Sequence, residues 1–385
     1  MKILFISDVY FPRVNGVSTS IETFRRNLHL LGHTVHLIAP DYGMPATDEP
    51  GILRVPARRV PFDPEDRFMS YSWVMKQLNN FRDEQYDLIH VQTPFVAHYL
   101  GVKLSSLLDI PCIETYHTFF EEYLYHYIPL APKCLTRYLA KRFSRHQGNS
   151  LDGMVIPSRP MQRVLQDYGI ETTMEVIATG IEPESFVPGD RIGFRERFGI
   201  PQNQPMLLFV GRVAHEKNID FLIKVVDQVR KQVEDVLFVI AGEGPARASL
   251  EQEVRKRAIG ENVRFIGYLN RHTELNNCYS AADIFIFSSR TETQGLVLLE
   301  AMAQGVPVVS TAELGTRDVL QDGAGVWIAQ EELSDFSGNV VKMLGHDQVR
   351  SELGELGRAY ANEWSSAGQA RKMLDFYDSI TAQLP

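Results

Sequence analysis

The chain has 385 residues, 44% apolar and 23% charged, which excludes disorder, collagen-like repeats and coiled coil and suits two ordinary domains. Domains of that size bury about 70% of their unfolded surface without disulfide or metal staples, and no apolar run approaches the ~20 residues of a bilayer span. With 39 basic against 48 acidic side chains the net charge is −9, a poor start for a nucleic-acid binder.

The opening MKILFIS lacks the apolar run and small-residue cleavage site of a signal peptide. Residues 2–7 read as a buried strand, and 19–31 as an amphipathic helix stopped by Gly32. Strand-like VHLIA (35–39), DLIHV (87–91), CIETY (112–116) and GMVIP (153–157) follow, with helical spacing between them. Short β-branched runs alternating with helices predict a parallel sheet covered on both faces. The three cysteines, Cys112, Cys134 and Cys278, are scattered and never form C-x-x-C. They suit a reducing compartment and not a structural zinc site.

Residues 178–190, with two prolines and two glycines, read as an interdomain linker. The alternation then restarts with MLLFVG (206–211), a helix near 218–232, LFVIAG (237–242), VRFIG (263–267), DIFIF (283–287) and PVVS (307–310). Residues 347–381 are helical throughout, placed to cap the second domain or to cross back to the first. The expected fold is α/β, two Rossmann-like doubly wound domains facing across a cleft. The domains run 1–186 and 187–363, with the C-terminal helix 364–385 joined to the first.

No phosphate loop G-x-x-x-x-G-K-[ST], no G-x-S-x-G, no H-E-x-x-H and no D-x-D is present. His29 and His33 have i,i+4 spacing but no third ligand, and read as helix-surface residues. The strongest constellation is TETQGLVLLE at 291–300. Glu292 lies in a loop after a strand, Gly295 opens a helix, and Glu300 lies inside it. Free N–H groups at Gly295, Leu296 and Val297 would form an anion site, worth ~0.3–2 kcal/mol per contact. A carboxylate before that site and another beside it suit the hydroxyls of a sugar and a ribose, although both also fit a solvated loop and an ordinary helix. In GRVAHEKN (211–218), Arg212 ends a strand and Lys217 starts a helix. The pair suits a diphosphate, or alternatively a surface ion pair with Glu216 or Asp220. In NGVSTS (15–20), Gly16 would let the backbone approach a phosphate, with Ser18 or Thr19 capping the helix. Asp8 ends the first strand, where it would orient the loop or contact an acceptor.

Taken in order, NGVSTS, G-R-x(4)-K, GEGP at 242–245 and E-x(7)-E followed by AMAQGVPVV resemble the family 4 retaining glycosyltransferases of the GT-B fold. The resemblance runs from residue 1 to at least 325. It implies that Gly16, Arg212 and Lys217 hold the donor diphosphate. Glu300 would bind the ribose, and Glu292 the transferred sugar near its 3- and 4-hydroxyls. Backbone N–H groups of Gly295, Leu296 and Val297 would meet sugar and phosphate, and His117 would approach the donor sugar near the reacting carbon. It also implies no cofactor and no divalent metal, positive side chains and helix dipoles stabilising the leaving diphosphate instead. Thr293-Gln294 departs from the Gly-Phe of many relatives.

The segment HTFFEEYLYHYIPLAPKCLTRYLAKRFSRH (117–146) bears on the acceptor. Phe119, Phe120 and Tyr123 lead an aromatic run. A helix follows with Lys133, Arg137, Lys141 and Arg145 at four-residue spacing, plus Arg142, while Leu135, Tyr138, Leu139 and Phe143 occupy another face. This suits adsorption to anionic lipid at ~1 kcal/mol per basic residue; the alternative is a solvated face over an ordinary core face. The His-Thr, aromatic, acidic and Tyr-rich run HTFFEEYLYHY (117–127) is similar to that of the diacylglycerol glucosyltransferases. The implied reaction moves a hexose, glucose from UDP-glucose, to diacylglycerol at the inner face of the cell membrane, by a cytoplasmic, peripherally bound enzyme that needs no nucleic acid. A soluble or polyprenol-linked acceptor, GDP-mannose as donor, a nucleotide-sugar-binding protein and an epimerase are the alternatives.

Overall fold

The structure, a computed structural model, describes residues 1–43, 50–60, 63–117, 133–271 and 273–382. It divides into two compact units, Met1–Gly180 with Ser366–Pro385, and Ile181–Ser365.

The first unit runs β1 (Lys2–Ile6), α1 (Gly16–Leu30), β2 (Thr34–Pro40), β3 (Ile52–Val55), β4 (Ala57–Val60), β5 (Asp63–Met69), α2 (Tyr71–Met75), α3 (Leu78–Glu84), β6 (Leu88–Val91), α4 (Val96–Leu108), β7 (Cys112–Thr115), α5 (Lys133–Gly148), β8 (Gly153–Ile156), α6 (Arg159–Asp167) and β9 (Met174–Val176). Seven strands form one parallel sheet in the order β3-β2-β1-β6-β7-β8-β9, while β4 and β5 pair antiparallel beside it. β6, β7 and β8 are buried throughout, and β1 in all but Lys2, because helices cover both sides. Chain order reverses between β1 and β6, and ligands of such sheets bind at the carboxyl strand ends of that switch point.

The second unit continues with α7 (Arg191–Arg197), β10 (Met206–Val210), α8 (Ile219–Val229), β11 (Leu237–Ala241), α9 (Arg247–Lys256), β12 (Val263–Gly267), α10 (Leu275–Ala281), β13 (Ile284–Phe287), α11 (Leu296–Ala303), β14 (Val308–Ser310), α12 (Thr316–Val319), β15 (Val326–Ile328), α13 (Leu333–Leu344) and α14 (Asp347–Asn362). Its six strands are parallel in the order β12-β11-β10-β13-β14-β15, with the switch point between β10 and β13. Both units therefore repeat one doubly wound plan.

The expected linker is largely part of the second unit. Ile181 is 2% exposed in that unit's core and its N–H donates to Trp364 O at 2.7 Å. Asn276 Nδ2 donates to Glu184 O at 2.8 Å, and Gln304 Nε2 to Val187 O at 2.9 Å. These bonds move the hand-over to Gly180 from the expected 186. The helical C-terminus does both things open to it. α14 packs on α11 in the second unit. After it, α15 (Ser366–Thr381) returns to the first unit, inserting Met373, Phe376, Tyr377 and Ile380 into its core. The Tyr377 hydroxyl meets His90 Nδ1 at 2.7 Å, and His90 Nε2 meets Thr115 Oγ1 at 2.7 Å. Gly153 makes room for this helix, since a Cβ there would lie 2.9 Å from Phe376 Cζ.

Candidate active site

At the carboxyl end of β1 in the first unit, Asp8 is buried and tied to the start of α4. Thr93 Oγ1 donates to Asp8 Oδ2 at 2.8 Å and Ala97 N–H donates to the same oxygen at 3.1 Å. Burial pushes its pKa up to about 7, against the lowering effect of those bonds. The folded value lies above the unfolded one, so the stability held by the protonated group is complete below about pH 4 and is lost as pH rises towards 7. Asp8→Asn removes that loss. From pH 5 to pH 8 the variant is expected to gain about 2–3 kcal/mol on the wild type, read from urea midpoints at both pH values. A constant difference between the two proteins contradicts the assignment.

The loop expected before the first helix is instead its first turn. Asn15 caps α1 by accepting from Ser18 N–H at 2.8 Å, and Ser18 Oγ donates back to Arg13 O at 2.7 Å. Asparagine caps as well as serine or threonine and stands one residue before the helix, so neither Ser18 nor Thr19 takes that place. Gly16 becomes the first helical residue, with open space where a Cβ would sit. Its side of the helix start is therefore accessible to an anion. His117 follows β7, half-buried, with Nε2 3.2 Å from Gln92 Oε1. Burial lowers its pKa to about 4, so the ring is neutral at physiological pH.

In the second unit GRVAHEKN and GEGP interlock. Gly211 N–H donates to Ala241 O at 3.0 Å and Val213 N–H to Glu243 O at 2.9 Å. A Cβ on Gly242 would lie 1.9 Å from Gly211 O, and one on Gly244 2.4 Å from Val213 O. GEGP is thus a close-approach device that sets the path on which Arg212 and Lys217 are carried. Lys217 ends a short 3₁₀ turn, His215–Lys217, and Asn218 follows it in the left-handed region at φ 56°. Asn218 Nδ2 donates to Ser288 O at 3.2 Å and Glu331 Oε1 at 3.1 Å, pinning the turn beside the end of β13. Lys217 pairs with Glu292 and not with Glu216 or Asp220, so the two strongest motifs meet.

Gly295 caps α11 at φ +91°, a conformation that favours glycine, and the helix start leaves the Leu296 and Val297 N–H groups without intrahelical partners. Gly315 N–H holds Glu292 O at 2.9 Å, which fixes the loop carrying the first glutamate. Glu300 is 3% exposed. One carboxylate oxygen pairs with Arg271 and the other accepts from the Tyr279 hydroxyl at 2.8 Å. Burial, then the Glu300 charge, drives the Tyr279 pKa far upwards. Among the described residues no three His, Cys, Asp or Glu side chains are grouped to hold a metal. His33 Nδ1 lies 3.0 Å from the N-terminal nitrogen and His29 Nδ1 3.0 Å from His33 O.

Two family models cover most of the chain. One, described as Glycosyltransferase Family 4, matches residues 14–185, and one described as Glycosyl transferases group 1 matches 190–360. The chain belongs to glycosyltransferase family 4. By that membership it is a retaining glycosyltransferase. It is similar to the alpha-monoglucosyldiacylglycerol synthase of Streptococcus pneumoniae, 34% identical over 84% of this chain and 74% of that one. The protein of the same name from Acholeplasma laidlawii is 25% identical over 100% of this chain and 99% of its own. Sucrose-phosphate synthase from Thermosynechococcus elongatus, 18% identical, superposes with a TM-score of 0.81 over 100% of both chains, a likeness that shows the GT-B fold.

The family-4 chain carries a further surface on α5. Its inner face consists of Thr136, Ala140, Ser144 and Gln147. The apolar residues expected to form a separate face are split. Tyr138 is 58% and Leu139 44% exposed, among Arg137, Lys141, Arg142 and Arg145, all exposed, while Phe143 is half-buried. Residues 136, 140 and 144 recur at four-residue spacing on the inner side, which turns 138 and 139 outwards. Lys141 Nζ donates to Asp167 O at 2.9 Å. Phe119, Phe120 and Tyr123, and the side chains of Lys133 and Leu135, lie outside the described residues. No helix among the described residues is long and apolar enough to cross a membrane. Sequence reasoning missed Arg271, Tyr279, Asn218 and Gln92. Only Asn218 carried a local signal, an asparagine directly after the motif lysine.

Proposed function

We propose that this family-4 enzyme transfers glucose from a UDP-sugar to the hydroxyl of diacylglycerol at the anionic inner face of the cell membrane. The names of the relatives, synthases of alpha-monoglucosyldiacylglycerol, support the sugar and the acceptor. The observation that carries the membrane reading is the outer face of α5, where exposed Tyr138 and Leu139 stand among four cations. That arrangement suits an interface with apolar and anionic layers, at ~1 kcal/mol per basic side chain.

In the second unit Arg212 and Lys217 neutralise the donor diphosphate, and the N–H groups of Gly295, Leu296 and Val297 supply donors beside it. Lys217 holds Glu292 before donor arrives. A diphosphate that draws the ammonium to itself releases the Glu292 carboxylate for sugar hydroxyls, so one ligand engages both residues. Glu300 accepts from the ribose, Gly16 leaves its helix start open to phosphate, and His117 contacts the sugar near the reacting carbon. The acceptor oxygen bonds to the anomeric carbon on the face from which the diphosphate departs. The breaking bond's electron pair leaves with the diphosphate, and the hydroxyl proton passes to its oxygen. No protein base and no metal takes part; fixed cations and helix N-termini supply the electrostatic stabilisation.

The test is transfer of labelled sugar from UDP-glucose, UDP-galactose or GDP-mannose to vesicles of diacylglycerol and anionic phospholipid, with EDTA present. Labelled lipid from UDP-glucose alone is the expected result. Transfer that requires added metal refutes the metal-independent part. Release of nucleotide diphosphate without labelled lipid refutes the acceptor and redirects the search to soluble or polyprenol-linked acceptors.

A further inference from the structure

Strand β6 runs into His90, Gln92 and Thr93 at the carboxyl edge of the first sheet. Thr93 holds Asp8, and both nitrogens of His90 are engaged, by Tyr377 and Thr115. Gln92 is different. It is 2% exposed, and its backbone N–H is fixed by Ile6 O at 2.8 Å. Its carbonyl Oε1 lies 3.2 Å from His117 Nε2, while its amide Nε2 is enclosed and meets no partner among the described residues. An enclosed amide nitrogen without a partner is costly in a dry site, so Gln92 is kept at this edge at an energetic cost.

A neutral imidazole carries one N–H and one lone pair, and the bond made by one nitrogen decides which is which. A carboxamide oxygen only accepts. Facing Nε2, it places the ring proton there and leaves Nδ1, on the ring's other side, as an acceptor. Burial holds His90 neutral too, and its two nitrogens bond to Tyr377 and Thr115, not to the His117 ring.

We propose that Gln92 is a positioning residue of the transfer site: it holds His117 as the Nε2–H tautomer and so presents Nδ1 to a hydroxyl of the bound carbohydrate. This rests on the role given to His117 above. Gln92 was singled out by no motif, because its work depends on a contact between neighbouring strand ends and not on spacing.

The experiment uses the full chain labelled with ¹⁵N in its histidine rings, with the His117 signal assigned by its loss in His117→Ala. Long-range ¹H–¹⁵N spectra of the wild type are expected to show His117 neutral and protonated at Nε2; a ring protonated at Nδ1 overturns the proposal before any Gln92 variant is made. Gln92→Met keeps the side-chain length and removes the acceptor. It is expected to average the two nitrogen signals of His117 and to lower kcat for sugar transfer by about tenfold or more, with donor KM little changed. Wild-type kcat in Gln92→Met, or a rise in KM alone, overturns it. His117→Ala with full activity removes the histidine role itself, whatever the tautomer, so the two failures are told apart.

Discussion

Replacing Glu300 with alanine is expected to cost the second unit about 3 kcal/mol of stability and to weaken donor binding about 100-fold. The first effect follows from what the carboxylate holds before any ligand arrives. It neutralises Arg271 and accepts from Tyr279, a fully buried phenol. Alanine leaves the hydroxyl unpaired in the core, at about 1–3 kcal/mol, and leaves the guanidinium without its counter-charge. Because the Arg271 side chain is 29% exposed, water recovers part of the charge term, which keeps the total near the lower end for a broken buried pair. The second effect follows from the proposed ribose contact, two hydroxyls donating to one carboxylate. Glu300→Gln separates the two. It keeps an acceptor for Tyr279 but removes the counter-charge of Arg271 and turns a donor towards it, so its urea midpoint is expected to fall less than that of Glu300→Ala while UDP binding by calorimetry is weakened as much. Wild-type UDP affinity in both variants contradicts the ribose role, and a wild-type urea midpoint in Glu300→Ala contradicts the structural one.

The same three residues show how far the sequence could be read. Glu300 was visible because it belongs to a spaced motif; Arg271 and Tyr279 were not, because they reach it from the loop after β12 and from α10, and no spacing joins those elements. The fold follows a similar line. β1, β10, β11 and β13 are largely apolar runs buried on both faces, and such runs announce themselves. β3 and β9 are short and half-exposed, and β4–β5 carries Arg58, Arg59, Asp63 and Asp66 among its apolar residues, so no strand pattern stands out. Glycine composition suggested a linker at 178–190, yet Gly189 is there because a Cβ would lie 2.3 Å from Asn276 O. That is a packing demand from the second unit. On α5 the basic spacing was legible, but the inner face was chosen by Thr136, Ala140 and Ser144, small residues that hydrophobicity does not flag.

Replacing His117 with alanine is expected to lower kcat by about 10²-fold or more with donor affinity nearly unchanged, since the contact proposed for it is near the reacting carbon. The ring's burial adds a pH signature. Its folded pKa of about 4 lies below the ordinary value, so His117 stays neutral throughout the working range and contributes no acid limb near 6.5 to kcat/KM. His90 is held neutral by burial, whereas Asp8, with a value of about 7, titrates in the range measured. Rates of the wild type and of Asp8→Asn between pH 5 and 8 separate the two, and an inflection near 6.5 that persists in Asp8→Asn contradicts a neutral His117. Stability carries the opposite sign from Asp8. For His117 the folded value is depressed, so its contribution is complete above about 6.5 and is lost as pH falls towards 4. Acidification from pH 7 to 4.5 is therefore expected to destabilise the wild type more than His117→Ala, even though the variant starts lower for want of the ring and of a partner for Gln92 Oε1. The neutral ring that the proposed transfer requires at physiological pH is thus set by the same burial that makes the His117 contribution to stability sensitive to acid.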